Sequence, residues 1–299
     1  MYILFAFLAL FSSVGNTIFN RISSNKTGSV LSAVIKSLFI TFACFIICAC
    51  FGHVNQLYSL TNEQWMWVGI LGLVTIVDWL FYFLALKRSH LEAFAPFESS
   101  YILFISNLLF VIFMVSVVTS GGTTLNIILF VAGLVFLLAS TIYAVLDKKI
   151  NPTKKAAWII FSLISGTALA FTLVIVKIKL SDVPSDVVAF HQMLVVFVGC
   201  GIGLCFSKDK KEIKATNLKT YFNFFISAIF NALLMVFRYM ALASADANPS
   251  IINVIVGLDF VFVSIATVLF FKANNKKQLA ILISLIVVGM ILITLPAII

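Results

Sequence analysis

Ten apolar stretches, each about as long as a bilayer's hydrocarbon core is thick, leave this chain few folds to adopt. They run over roughly 2–20, 29–51, 64–86, 91–117, 124–146, 156–176, 186–206, 219–243, 248–271 and 278–298. A helix needs about 20 apolar residues to cross hydrocarbon, where every backbone N–H and C=O must be bonded within the chain. The connections are short and polar, and none has room for a soluble domain. The expected fold is an all-α membrane protein of ten transmembrane helices. Composition agrees: 62% of the 299 residues are hydrophobic and only 10% charged. A soluble domain carries roughly a quarter of its residues charged, so a core holding 31 Phe side chains could not be dressed for water. The first stretch has neither the basic start nor the small-residue cleavage site of a signal peptide, and reads as a retained helix.

The net charge of +9 is distributed unevenly. Arg21 and Lys26 follow the first stretch, Lys87 and Arg88 the third, and Lys148, Lys149, Lys154 and Lys155 the fifth. Lys208, Lys210, Lys211, Lys214 and Lys219 follow the seventh, and Lys272, Lys276 and Lys277 the ninth. The opposite connections hold only Lys177 and Lys179. By the positive-inside rule the lysine-rich connections face the cytoplasm and both termini lie outside, in a multi-pass protein of the cell membrane. Topology thus accounts for the basic charge without a nucleic-acid partner.

The chain also reads as two copies of one unit, residues 1–150 and 151–299. Phe81-Tyr-Phe-Leu-Ala-Leu86 parallels Phe237-Arg-Tyr-Met-Ala-Leu242, and Val131-Ala-Gly133 parallels Val287-Val-Gly289, each at an offset of 156. A constant, ungapped offset across separate landmarks points to an internal repeat. Five helices per half is an odd number, so the second copy starts on the other side and the repeat is inverted. Inverted repeats are an architecture of alternating-access transporters, with the site near the midplane.

With ten short helices, two five-helix halves and an aromatic–Ala-Leu ending on helices 3 and 8, nearly the whole chain resembles the drug/metabolite transporter superfamily, in its EamA-type branch. The resemblance implies a central cavity lined mainly by helices 1, 3, 4, 6, 8 and 9, with helices 5 and 10 at the periphery. The family often carries a proline within helices 4 and 9 and an acidic residue after each. Here Pro96 and Pro249 lie near the helix starts, followed after the helices by Ser120-Gly121-Gly122 and Ala273-Asn274-Asn275.

Ionisable side chains inside hydrocarbon are costly and face a bundle interior or a wet cavity. Asp78 shares a helix face with Phe81 and Tyr82, beside Trp79: an acid among rings suits an amine through cation–π contact, or Asp78 pairs with Lys36 or Arg238. Glu98 and Tyr101, three residues apart on helix 4, form a second cavity face, unless Glu98 snorkels outward. Arg238 and Asn231 are seven apart on helix 8, and Arg238 falls at the repeat position of Tyr82. Its guanidinium suits a substrate carboxylate, or an ion pair with Asp259. Lys36, whose repeat counterpart is Gln192, is expected to snorkel to the cytoplasmic side. His191 is a core residue or a proton relay, and Asn16, Asn20 and Asn253 line the path or bridge helices. Three acids against two bases leave one carboxylate, Asp78 or Glu98, to meet a proton or cation, and Lys36, His191 and Asp259 are charge-relay candidates. Asp78, Trp79, Tyr82, Glu98, Tyr101, Asn231 and Arg238 are the substrate-binding candidates.

Cys44, Cys48, Cys50, Cys200 and Cys205 match no zinc spacing and read as packing residues. His occurs only at His53, His90 and His191, in unrelated segments, and there is no nucleophile triad or phosphate loop. The reading is a secondary transporter rather than an enzyme, with no cofactor and no metal. Its partners are the bilayer, a small polar or amphiphilic metabolite (amino acid-, amine- or drug-like) and a coupling proton or cation. The alternative is a lipid-linked translocase or accessory membrane subunit, which calls for a lateral opening with a basic headgroup pocket.

Overall fold

The computed structural model describes residues 1–24, 27–89, 91–113, 124–147, 156–270 and 276–297. Lys26, His90, Lys148, Lys149, Lys154, Lys155 and Lys272 lie outside the described residues, as do both segments that follow helices 4 and 9 and the end of the fourth stretch. Ten spans among the described residues are long and apolar enough to cross a bilayer, and every regular element there is helical. The helices are α1 (Tyr2–Ser24), α2 (Ser29–Cys50), α3 (Asn62–Arg88), α4 (Leu91–Phe113), α5 (Thr124–Leu146), α6 (Ala156–Lys179), α7 (Ser185–Phe206), α8 (Leu218–Ala243), α9 (Pro249–Gly257), α10 (Asp259–Phe270) and α11 (Lys276–Thr294).

Local chemistry sets several of the helix starts. Thr61 and Gln64 form a capping box on α3: the Gln64 N–H donates to Thr61 Oγ1 at 3.2 Å, and the Thr61 N–H to Gln64 Oε1 at 2.9 Å. Asn217 caps α8 and Asn248 caps α9, where Pro249 takes a first-turn position that needs no N–H. The ninth stretch, expected as one helix, is two. It breaks at Leu258, whose N–H reaches both Val254 and Ile255 carbonyls in a tightened last turn. Gly257, a poor helix former, precedes the break, and Asp259 opens α10, where an acid suits the helix dipole.

The surface is inverted relative to a soluble protein. Phe11, Phe42, Leu73, Val135 and Ile202 are exposed, while Ser23, Ser32, Ser100, Asn107 and Thr141 are buried. Lipid accepts the first group, and the second bonds to carbonyls three or four residues back on its own helix. The principal packing pairs are α1 with α8, α3 with α6, α2 with α7, and α5 with α11, while α4 lies against α5, α6 and the α9–α10 pair. At the α5–α11 crossing a Cβ on Gly133 would lie 2.8 Å from the Gly289 carbonyl oxygen, and one on Gly289 3.0 Å from that of Gly133. Only glycine lets two backbones approach so closely. On the lysine-rich side, the first turn of α2 meets the connection between α7 and α8: the Val30 N–H donates to Asp209 Oδ2 at 2.9 Å.

Candidate functional site

Helical periodicity brings one face of each inner helix to a central cavity of about 170 Å³. α3 contributes Thr75, Asp78, Trp79, Tyr82 and Phe83, spaced as one helix face requires. α8 contributes Asn231, Leu234, Met235, Arg238 and Tyr239 at the same spacing. α1 adds Ser13, Asn16, Thr17 and Asn20, and α6 adds Leu169, Thr172 and Leu173. Lys36 of α2 and Gln192 of α7 reach in from the sides, and α4 and the broken span bring Glu98, Ser99, Asn253 and Asp259. Many of these positions are related by the offset of 156: Ser13 and Leu169, Asn16 and Thr172, Lys36 and Gln192, Thr75 and Asn231, Asp78 and Leu234, Tyr82 and Arg238.

Polar groups in the wall hold one another in place. Lys36, only 2% exposed, donates from Nζ to Asn16 Oδ1 at 2.6 Å and lies over the Trp79 ring at 5.2 Å. Ser227 donates to Asn20 Oδ1 at 2.7 Å, and Asn20 Nδ2 donates to the Tyr82 hydroxyl at 3.3 Å. Asp78 Oδ1 accepts from Ser165 at 2.6 Å, and Asp259 accepts from Ser13. Gln192 donates to Thr75 Oγ1 and accepts from the Tyr239 hydroxyl, both at 2.7 Å. Arg238 Nη2 donates to Asn253 Oδ1 at 2.8 Å, and its buried Nε has no partner. Glu98 and Asn231 line the cavity with no hydrogen-bond partner among the described residues.

Two further cations close the ends of helices. Arg21, in the last turn of α1, donates to the Leu86 and Ser89 carbonyls at the end of α3, the latter at 3.0 Å. Lys177, in the last turn of α6, donates to the Leu242 carbonyl at the end of α8 at 2.8 Å and reaches that of Ser244 at 3.5 Å. Adding 156 carries Arg21 onto Lys177 and Leu86 onto Leu242. Arg21 lies at the lysine-rich end of the bundle. Lys177 lies at the other end, where Gln64 donates to Asp182 at 3.0 Å and His53 meets Asp186 at 2.9 Å.

The sequence of residues 156–295 matches the EamA-like transporter family. The second half of the chain carries an EamA-like transporter domain. That domain begins with α6 and runs through α11, so it supplies the α6, α7, α8 and α9–α10 walls of the cavity. A crystal structure of a protein 16% identical in sequence covers 98% of this chain and 96% of its own, with a TM-score of 0.68, a likeness of fold. A search of curated proteins finds no sequence match.

The cavity gathers Lys36, Asp78, Trp79, Tyr82 and Glu98, and from the EamA-like domain Asn231, Arg238 and Asp259. Tyr101 and His191 are not in its wall. Tyr101 turns from α4 toward the EamA-like domain, where its hydroxyl lies 2.8 Å from Thr167 Oγ1. His191 is one helical step from Gln192, so it faces the connection before α3: Nε2 is 3.0 Å from the Leu57 carbonyl and the ring packs on Trp65. Among the described residues, the contacts within 4 Å between a basic and an acidic side chain are His53–Asp186 and Lys179–Glu63. The expected pairs of Asp78 with Lys36 or Arg238, and of Arg238 with Asp259, are therefore absent there, because Ser165, Asn253 and Ser13 satisfy these charges instead. Nor does Lys36 snorkel: Asn16, Trp79 and the nearby charges of Asp78 and Glu98 offer its ammonium better partners inside than lipid offers outside. Ser13, Thr75, Ser165 and Tyr239 went unnoticed in the sequence. The repeat offset from Asn231 and Phe83 would have found Thr75 and Tyr239. Among the described residues no cluster of His, Cys, Asp and Glu could hold a metal ion.

Proposed function

We propose that this protein is a secondary transporter that carries a small polar or amphiphilic solute through the central cavity by alternating access. One observation carries the reading: a buried cavity with charged walls, enclosed by helices from both halves and lined at repeat-equivalent positions. Water-soluble groups are placed at such a depth when a polar solute must be received there. The two halves, 1–150 and 151–299, are read as inverted repeats. The offset of 156 in the lining, the Gly133–Gly289 contact and the Arg21 and Lys177 contacts support this, as do packing pairs that stay the same when each span is exchanged for the one five later. The excess of lysine on one side supports a cell-membrane topology with both termini outside, and Glu98, a cavity carboxylate with no hydrogen-bond partner among the described residues, supports a coupling proton or cation.

The test is solute counterflow in proteoliposomes, using any amino acid or amine that stabilises the purified protein against heat. Asp78→Asn removes a charge from the polar wall, and Leu169→Trp fills the cavity from its apolar wall. Both variants are expected to fold and to lose counterflow. Normal counterflow by a folded Leu169→Trp protein would show that the solute takes another path.

A further inference from the structure

We infer that Arg238 and Asn231 form a carboxylate-binding subsite of the cavity, and that the transported solute is a zwitterion with an apolar body. The inference rests on the cavity being the solute site. Arg238 is 9% exposed, and a guanidinium has five N–H donors in a planar fork. Its Nη2 is held by Asn253, while Nε, buried, has no acceptor. Asn231 lies two helical turns earlier on the same face of α8, with its side-chain amide unpartnered. Buried donors are ordinarily satisfied, and one left open in a cavity wall is explained by an absent acceptor.

The first half shows that the opening is not a property of the fold. Tyr82, the counterpart of Arg238, has its hydroxyl engaged by Asn20, and Thr75, the counterpart of Asn231, is engaged by Gln192. The same positions are closed in one half and open in the other. A planar carboxylate is the acceptor that matches the open edge of a guanidinium.

Charge decides what else the solute carries. The cavity already holds Asp78, Glu98 and Asp259 against Lys36 and Arg238. A simple anion would add to a negative excess, and a dianion such as phosphate would add more. A carboxylate that brings its own ammonium adds no net charge, and Glu98, which accepts no hydrogen bond among the described residues, is the acceptor left for that ammonium. Leu169, Leu173, Leu234 and Met235 form the apolar wall for its body.

The experiment measures binding of a panel of apolar L-amino acids to purified protein by calorimetry and thermal shift. Each is tested beside its methyl ester, which lacks the carboxylate charge, and its N-acetyl form, which lacks the ammonium. At least one amino acid is expected to bind about tenfold or more tighter than either derivative, the scale of a lost charge-assisted hydrogen bond. In Arg238→Gln the preference for acid over ester should vanish. The wild-type comparison needs no variant to fold. Equal binding of acid and ester, or no binding by any panel member, would overturn the zwitterion. If Leu169→Trp abolishes binding while acid and ester bind alike, only the subsite fails. If binding survives Leu169→Trp, the cavity reading fails with it.

Discussion

Removing the cation of Arg21 or Lys177 should open the bundle at one end only. Arg21→Met and Lys177→Met keep most of the apolar stem and delete the donors. A hydrogen bond from a charged group contributes about 1.5–3 kcal/mol, and a cation at a helix C-terminus a further ~0.3–1 kcal/mol. Arg21 makes two bonds, to carbonyls of the buried residues Leu86 and Ser89. Lys177 makes one good bond and one at the 3.5 Å limit, and both cations are partly exposed, so solvent screens each. About 2–3 kcal/mol is then expected from Arg21 and about 1 kcal/mol from Lys177, or roughly 30- to 150-fold and about 5-fold in the equilibrium between closed and open ends. The assay places one cysteine in the cavity, Thr172→Cys, on a cysteine-free background in vesicles of known orientation. An impermeant thiol reagent then reports access from each side. Arg21→Met should speed labelling from the lysine-rich side, and Lys177→Met, less strongly, from the opposite side. Equal acceleration from both sides would mean general loosening, and no change from either would mean these contacts do not gate the cavity.

Gly289→Val should drive α5 and α11 apart and cost about 1–3 kcal/mol of stability, read as a lower Tm, whereas Gly69→Ala, with open space around it, should be neutral or slightly stabilising. Asn16→Leu strands the buried Lys36 ammonium and should cost about 1–3 kcal/mol; Lys36→Met added to it should recover part of that loss in a double-mutant cycle, and strict additivity would mean that the two side chains do not interact. Single cysteines within Ser207–Thr220 should resist an impermeant reagent in intact cells, while one at Ser59 should react; the reverse pattern would invert the topology.

The spans were legible because hydropathy is a local property: crossing hydrocarbon demands an unbroken apolar run, and a run can be read without knowing its neighbours. The shared face of Asp78 and Tyr82, and that of Asn231 and Arg238, were legible for the same reason, since 3.6 residues per turn fixes a face within one helix; Phe81, expected on the first of these, is not in the cavity wall and packs on Phe161 of α6 instead. The break at Leu258 was hidden inside a continuous apolar run, because hydropathy does not register a single tightened turn.

Partnership was not legible. Charges of opposite sign in one membrane invite pairing, yet Asp78 takes Ser165 of α6, Asp259 takes Ser13 of α1, and Arg238 takes Asn253 of α9. Serine and asparagine carry no signal in a hydrophobic stretch that distinguishes a bridging residue from one bonded to its own helix. Tyr101 and His191 lie a single helical step from lining residues, and a step of 100° turns a side chain from the cavity to a neighbouring helix. The sequence alone determined how many times the chain crosses and which residues share a helical face. Which groups meet across helices was decided only by the tertiary structure, because the reach of a side chain depends on the angle and separation of two helices that hydropathy does not encode.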